Sequence, residues 1–299
     1  MASMGHQSQL AIADDGTAIG SFTIAYEFQS ESLRKTGEII NPNGIRGTRQ
    51  QPQERTRFGP YAVGGDIVMH PSPADLDNLL PYIQGAAEII DVFNPGESLD
   101  AFEMAILVDR IAQRHLYDDC KVGRATWRST AGPGSLVEMT LGLVGKNETV
   151  SATAFPAITP PTDAHDAPYV FSDGVFTFVS GARDVIDFEV TIDNVLATRF
   201  TNSTTATDIS ATDRIVTVRV TTPYTSGETA LYGQALAGTA GTIVFTNGGL
   251  STTFTFATLQ VADVSPVVGS KGEIVYAIDM VARKSGATND LVITNDSVA

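Results

Sequence analysis

Apolar side chains at every second position, recurring in the same order in both halves of the chain, constrain this sequence more than any other feature. In the first half Ile19-Gly-Ser-Phe22-Thr-Ile24-Ala-Tyr26-Glu27 alternates at spacing two, and in the second Ile186-Asp-Phe188-Glu-Val190-Thr-Ile192-Asp193 does so more cleanly. That period places one face on a core and the other toward solvent, which is the pattern of a half-buried β-strand. Phe22 and Phe188, Ile24 and Val190, and Tyr26 and Ile192 each stand 166 residues apart. The elements after each strand also repeat: a long polar loop, a short strand running into a small helix, and a closing β-hairpin.

The first loop, about Gly37 to Pro60, holds Asn43-Gly44, Gly47, Pro52 and four arginines, and the second, about 194 to 213, is rich in Thr, Ser and Ala. Next come Gly65-Asp-Ile67-Val68-Met69 and Pro71-Ser72-Pro73. Ser72 suits a helix N-cap and Pro73 the first helical position, while Leu76, Leu79, Leu80 and Ile83 form one apolar face. The counterpart is Ile215 to Val220, then Pro223 and a shorter helix over about Glu228 to Leu236. The closing hairpins are Cys120 to Trp127 with Leu136 to Val144, and Phe254 to Val261 with Ile274 to Val281. Val137, Met139, Leu141 and Leu143 match Ile274, Tyr276, Ile278 and Met280 at an offset of 137. The falling offset is what shorter loops in the second copy produce. The expectation is a mainly β protein of two tandem β-sandwich or barrel domains, 1–150 and 151–299, each with a short flanking helix. A Pro-rich linker spans about 151–173. One large β-sandwich with look-alike strands is the other reading of the same pattern. Residues 86–101 are expected to be an acidic surface loop.

A length of 299 residues fits two domains. No stretch approaches the roughly 18 apolar residues of a membrane helix, and the N-terminus lacks the apolar segment of a secretory signal. The single cysteine, Cys120, rules out an intrachain disulfide and reads as a small apolar strand residue. The net charge is −15, split as −7 before residue 151 and −8 after it. Without a basic cluster, tight nucleic-acid binding is not expected.

Chemistry-bearing motifs are weak. Histidines 6, 70, 115 and 165 stand at no ligand spacing, and Asp163-Ala-His165-Asp166 sits in the Pro-rich linker, so no metal or other cofactor is expected. Gly44-Ile-Arg-Gly47 lacks the lysine and the strand–helix setting of a phosphate loop, and there is no Gly-x-Ser-x-Gly elbow. No catalytic residue is assigned, and no enzymatic activity is expected. The one local signal is the loop holding Arg46, Arg49, Arg55 and Arg57 with Gln50, Gln51 and Gln53 on an otherwise acidic molecule. Arginine pairs bidentately with carboxylates and suits protein interfaces. A subunit-contact loop and a solvated loop both fit it.

Several stretches in order resemble the major tail tube proteins of long-tailed, siphovirus-type bacteriophages. They are Gly64-Gly-Asp-Ile-Val-Met-His-Pro-Ser-Pro73 leading to Leu79-Leu80-Pro81; Tyr117-Asp-Asp-Cys-Lys-Val122 with Gly132-Pro-Gly134 and Leu141-Gly-Leu-Val-Gly-Lys146; and Phe188-Glu-Val-Thr-Ile-Asp-Asn194. The resemblance implies β domains flanked by a helix, whose sheets join side by side into an inner barrel. It implies rings of six such domains that stack into a hollow conduit for DNA ejection. Two domains per chain then imply homotrimeric rings, with the first-strand loops reaching the adjacent ring. Implied partners are other copies of the chain and the tape measure, terminator and distal tail proteins, with DNA passing unbound and no membrane involved. The expected location is the virion tail, assembled in the host cytoplasm. An acidic lumen repels phosphate, and Asp187, Glu189 and Glu138 are candidates to face it. The competing reading is a tandem β-sandwich module binding a cell-surface carbohydrate or protein, against which stands the single tryptophan, Trp127. An enzyme with paired carboxylates, such as a glycosidase, is the third, and no pair is singled out.

Overall fold

A computed structural model describes residues 4–42, 44–50, 52–160, 167–179, 181–225, 237–261, 265, 266, 268 and 271–297. The strands are β1 (Gln9–Asp14), β2 (Ala25–Tyr26), β3 (Ser30–Glu31), β4 (Arg34–Ile40), β5 (Arg57–Met69), β6 (Val92–Phe93), β7 (Met104–Asp109), β8 (Arg114–Thr130), β9 (Glu138–Gly145) and β10 (Asn147–Ser151). After residue 173 come β11 (Gly174–Phe178), β12 (Gly181–Arg183), β13 (Asp187–Asp193), β14 (Leu196–Arg199), β15 (Asp208–Ala211), β16 (Ile215–Pro223), β17 (Thr239–Asn247), β18 (Leu250–Val261), β19 (Val275–Arg283) and β20 (Leu291–Asp296). The protein is mainly β, as expected.

One α-helix occurs among the described residues, α1 (Pro73–Gln84). Ser72 accepts from the Asp75 amide, and the Asp75 carboxylate accepts in return from the Ser72 amide, closing a capping box. Gly85 ends the helix at φ 73°, where a Cβ would lie 2.7 Å from Leu99, so only glycine fits. Leu76, Leu79, Leu80 and Ile83 are buried, as the sequence periodicity predicts. The second expected helix, about 228–236, lies outside the described residues.

Every strand pairing among the described residues is antiparallel. In one layer the order is β3 and β4 on β5, then β9 and the second half of β8. In the other it is β2, β1, β7, the first half of β8, and β10. After residue 173 the same order of pairings occurs: β13, β16, β19 and the end of β18 in one layer, and β12, β11, β17, the start of β18, and β20 in the other. Strands β8 and β18 each run from one layer into the other.

The two stretches of sheet are joined. Strand β8 pairs with β13 over seven residues, from Arg124 opposite Asp193 to Thr130 opposite Asp187. One continuous sheet of eight strands results, β4–β5–β9–β8–β13–β16–β19–β18. Its buried side belongs to a core shared along its length: Trp127 packs edge-on against Phe254 at 5.3 Å, and Phe176, Phe188 and Phe245 cluster nearby with their rings tilted or edge-on. Cys120 is buried in β8 as expected, and burial raises its thiol pKa well above the ordinary range. Native protein should therefore not react with a disulfide reagent such as Ellman's, and one thiol per chain should appear on adding denaturant. Full reactivity of the folded chain would contradict this placement.

Several expected elements differ. The alternating stretch 19–27 forms strand only at Ala25–Tyr26, because Ile19–Ser21 is a 3₁₀ turn. Phe22 packs in a second small cluster with Leu107, outside β1 and β7. By its pairing partner, the counterpart of β13 is the segment Ser30–Ile40. The buried strand β1 begins within the polar-looking N-terminus, and its Leu10 is opposite Tyr26. Residues 86–101 are not wholly a surface loop: β6 pairs with β20, and Phe93 and Leu99 are buried. The segment 194–213 is not a plain loop, since β14 and β15 form a hairpin within it.

Candidate assembly surface

The arginine-bearing loop is the tip of a long hairpin arm. Every residue of β4 is exposed, and β4 pairs with the start of β5, Ile39 opposite Phe58 and Ile40 opposite Arg57. The arm presents bare apolar surface: Phe58 is 80% exposed, Ile39 58% and Ile40 52%. Large side chains left in water on a narrow two-stranded arm lack any core to cover them, which marks an interaction surface. At the tip Arg49, Gln50, Arg55 and Arg57 are exposed and Arg46 is half-buried, and among the described residues none of these arginines has a carboxylate partner. Gln51 lies outside the described residues.

The 194–213 hairpin is seated against the part of the chain before residue 151. The Tyr61 amide donates to the Thr204 carbonyl at 2.9 Å, the buried Lys121 ammonium donates to the Ile209 carbonyl at 2.7 Å, and Ile209 is fully buried. Lys121 also pairs with Asp100 and Glu103, and its hydrogen bond holds the Asp100 carboxyl below its usual range. The cluster Asp15, Glu103 and Asp119 converges closely. Lys121 and Lys146 pair with Glu103 at 3.2 and 3.5 Å and Lys146 with Asp119 at 2.7 Å, while Asp15 accepts from the Asp119 amide.

Asp187, Glu189 and Glu138 come together on the exposed side of the eight-stranded sheet. Glu138 accepts from Arg128 Nε at 2.7 Å, Glu189 stands opposite Arg128, and Asp187 is opposite Thr130 on the same face. These acids alternate with Phe188, Val190 and Met139, which are buried. Lys121 reads in the sequence as one more charge in a strand, yet it is buried and ties the 194–213 hairpin down. Nothing in its local pattern distinguishes it from a surface lysine. Trp127 is buried, so it offers no platform for a sugar ring.

Among the described residues the eight-stranded sheet ends in an unpaired edge at β3 and β4, beside an exposed apolar arm and a polar outer sheet face, the features of a surface that joins other chains. A family model for the phage tail tube protein matches residues 5–288, and the chain belongs to that family. The comparison with curated proteins gave no match. The family is one of structural tail components of the virion. Among the described residues no helix is long and apolar enough to cross a membrane.

Proposed function

We propose that the chain is the subunit of a siphovirus-type tail tube. It is composed of two tandem tail-tube domains, 1–150 and 151–299, and three copies close into a ring of six domains. The observation that carries this reading is the β8–β13 join. One stretch of sheet accepts the other edge to edge within the chain. Among the described residues the sheet still ends in an unpaired edge at β3 and β4 and a mostly unpaired one at the end of β18. Open edges are an aggregation hazard unless something covers them; a copy joined in the same way at each end covers both, and closure of the ring leaves none. Rings closed like this stack into a hollow conduit through which DNA is ejected, with the face bearing Asp187, Glu189 and Glu138 toward the lumen. The tube then meets the tape measure, terminator and distal tail proteins, after assembly in the host cytoplasm.

The in-chain seat of the 194–213 hairpin supports a lateral role for the base of the arm, reaching the neighbouring copy in the ring. The unpaired arginines at its tip suit the carboxylates of the next ring. Replacing Arg46, Arg49, Arg55 and Arg57 by serine should leave the fold and the rings intact and impair stacking, read as single rings in place of tubes by negative-stain electron microscopy. Tubes of normal length from that variant would remove the arginines from the stacking contact. The whole reading is tested by electron microscopy of purified protein with tail components: hollow tubes of uniform bore support it, and a monomer that never polymerises when seeded argues against it.

A further inference from the structure

The exposed face of the eight-stranded sheet carries charges in a strict row. Reading straight across five neighbouring strands, Glu138 is opposite Arg128, Arg128 opposite Glu189, Glu189 opposite Arg219, and Arg219 opposite Asp279. The sign alternates at each strand, and the row crosses the β8–β13 join without a break. Arg128 bonds Glu138 at 2.7 Å, and Arg219 Nε lies 3.5 Å from Asp279. Two residues along the strands, a second row is uncharged: Thr140, Thr126, Thr191 and Thr217, again directly opposite one another.

We propose that this row is a masked-arginine surface suited to a duplex polyanion moving over it, an inference that rests on the reading of this face as the conduit wall. Strands about 4.8 Å apart put neighbouring charges well inside the roughly 8 Å screening length of physiological salt, so each arginine stands between two carboxylates, one of them in contact with it. Alternating charges cancel at distances beyond their own repeat. A phosphate backbone therefore meets a row of net charge −1, neither a ladder of free cations nor a block of carboxylates. A row of five carboxylates would repel DNA more strongly, but like charges directly opposite each other destabilise a sheet. Interleaved arginine resolves that conflict while withholding its guanidinium from phosphate. The row also favours this register: sliding β13 by two residues would set Arg128 against Thr191, losing the pair, or against Asp187, whose neighbour in β16 is Thr221, so that the row would stop at β13.

The test is fluorescence anisotropy of the full-length chain with a labelled 30-base-pair duplex at low salt. Wild type is expected to show no saturable binding. Glu138→Gln, Glu189→Gln and Asp279→Asn together change the row from −1 to +2 and should produce saturable binding. With two arginines unmasked, log affinity should fall with log salt at a slope of about −2. Adding Arg128→Gln and Arg219→Gln to that variant should abolish the gain. Since all five side chains lie on the exposed face, circular dichroism and thermal melts should match wild type; if the triple variant does not fold, Glu138→Gln with Asp279→Asn removes the two carboxylates in contact with the arginines, takes the row to +1 and should still gain saturable binding. No gain on removing the acids, or a gain that persists without both arginines, overturns the proposal. Electron microscopy of the same samples keeps the two ideas apart. Tubes with unchanged DNA affinity in the triple variant defeat the masking alone, and absence of wild-type tubes counts against the conduit reading.

Discussion

Chains carrying both Ile39→Asp and Phe58→Asp are expected to fold as wild type and to form no rings. The two residues face one another across the arm, and both are more than half exposed, so the folded monomer loses little when they become polar. In an assembly that covers them, each large apolar side chain contributes about 1.5–3 kcal/mol. Losing two at every subunit boundary weakens each contact by about 3–6 kcal/mol, a hundredfold or more in affinity. Burying two carboxylates without partners adds to that. Size-exclusion chromatography with light scattering should show monomer for the variant and rings for wild type, with unchanged circular dichroism. Rings that form but fail to stack would move the base of the arm from a lateral to an axial contact.

Trp127→Ala is expected to have the largest effect on stability. The indole sits in β8 directly opposite Val190 of β13 and edge-on to Phe254 of β18, so it touches both stretches of the chain. Removing a buried tryptophan costs about 3–5 kcal/mol in lost transfer and cavity energy, set against total stabilities of about 5–15 kcal/mol. The melting temperature should fall by about 10 °C. The loss should be cooperative, with both stretches unfolding together in calorimetry. Two separate transitions, one unchanged from wild type, would mean that the core is not energetically shared across the join. Trp127→Phe, which keeps a ring against Phe254, should recover most of the loss.

Where alternation met a single buried face, the sequence was readable. Strands β9, β13, β16 and β19 bury every second residue, and the helix at Pro73–Gln84 carries its cap, its first-turn proline and its terminal glycine in order. Strand β7 escapes a reading by alternation for a physical reason. All six of its residues are buried because the small cluster around Phe22, Phe155 and Ile158 covers its second face, and a strand covered on both sides does not alternate. The stretch 19–27 misleads in the opposite way: Phe22, Ile24 and Tyr26 stand at spacing two, yet Ile19–Ser21 is a 3₁₀ turn and strand forms only at Ala25–Tyr26. At the assembly surface, the exposed acids followed from alternation within β13 and β9. The charge row did not, because it exists only once five strands are set in register. Likewise the arginines stand out as charges in a long loop, while Ile39 and Phe58 lie within that same loop reading, and only the pairing of β4 with β5 shows them bare on an arm.

Strands β8 and β18 each pass from one layer of the sandwich into the other, and that sharing has a mechanical consequence. A sandwich whose layers are made of separate strands can shear, one sheet gliding over its partner through the soft apolar interface. Here covalent backbone pins the layers together at two places along the chain. In a closed ring, widening or narrowing the bore would drag the outer layer with it, and a torque applied to the outer wall would reach the lumen through continuous chain. In such a ring the bore radius and the outer surface would be a single geometric variable.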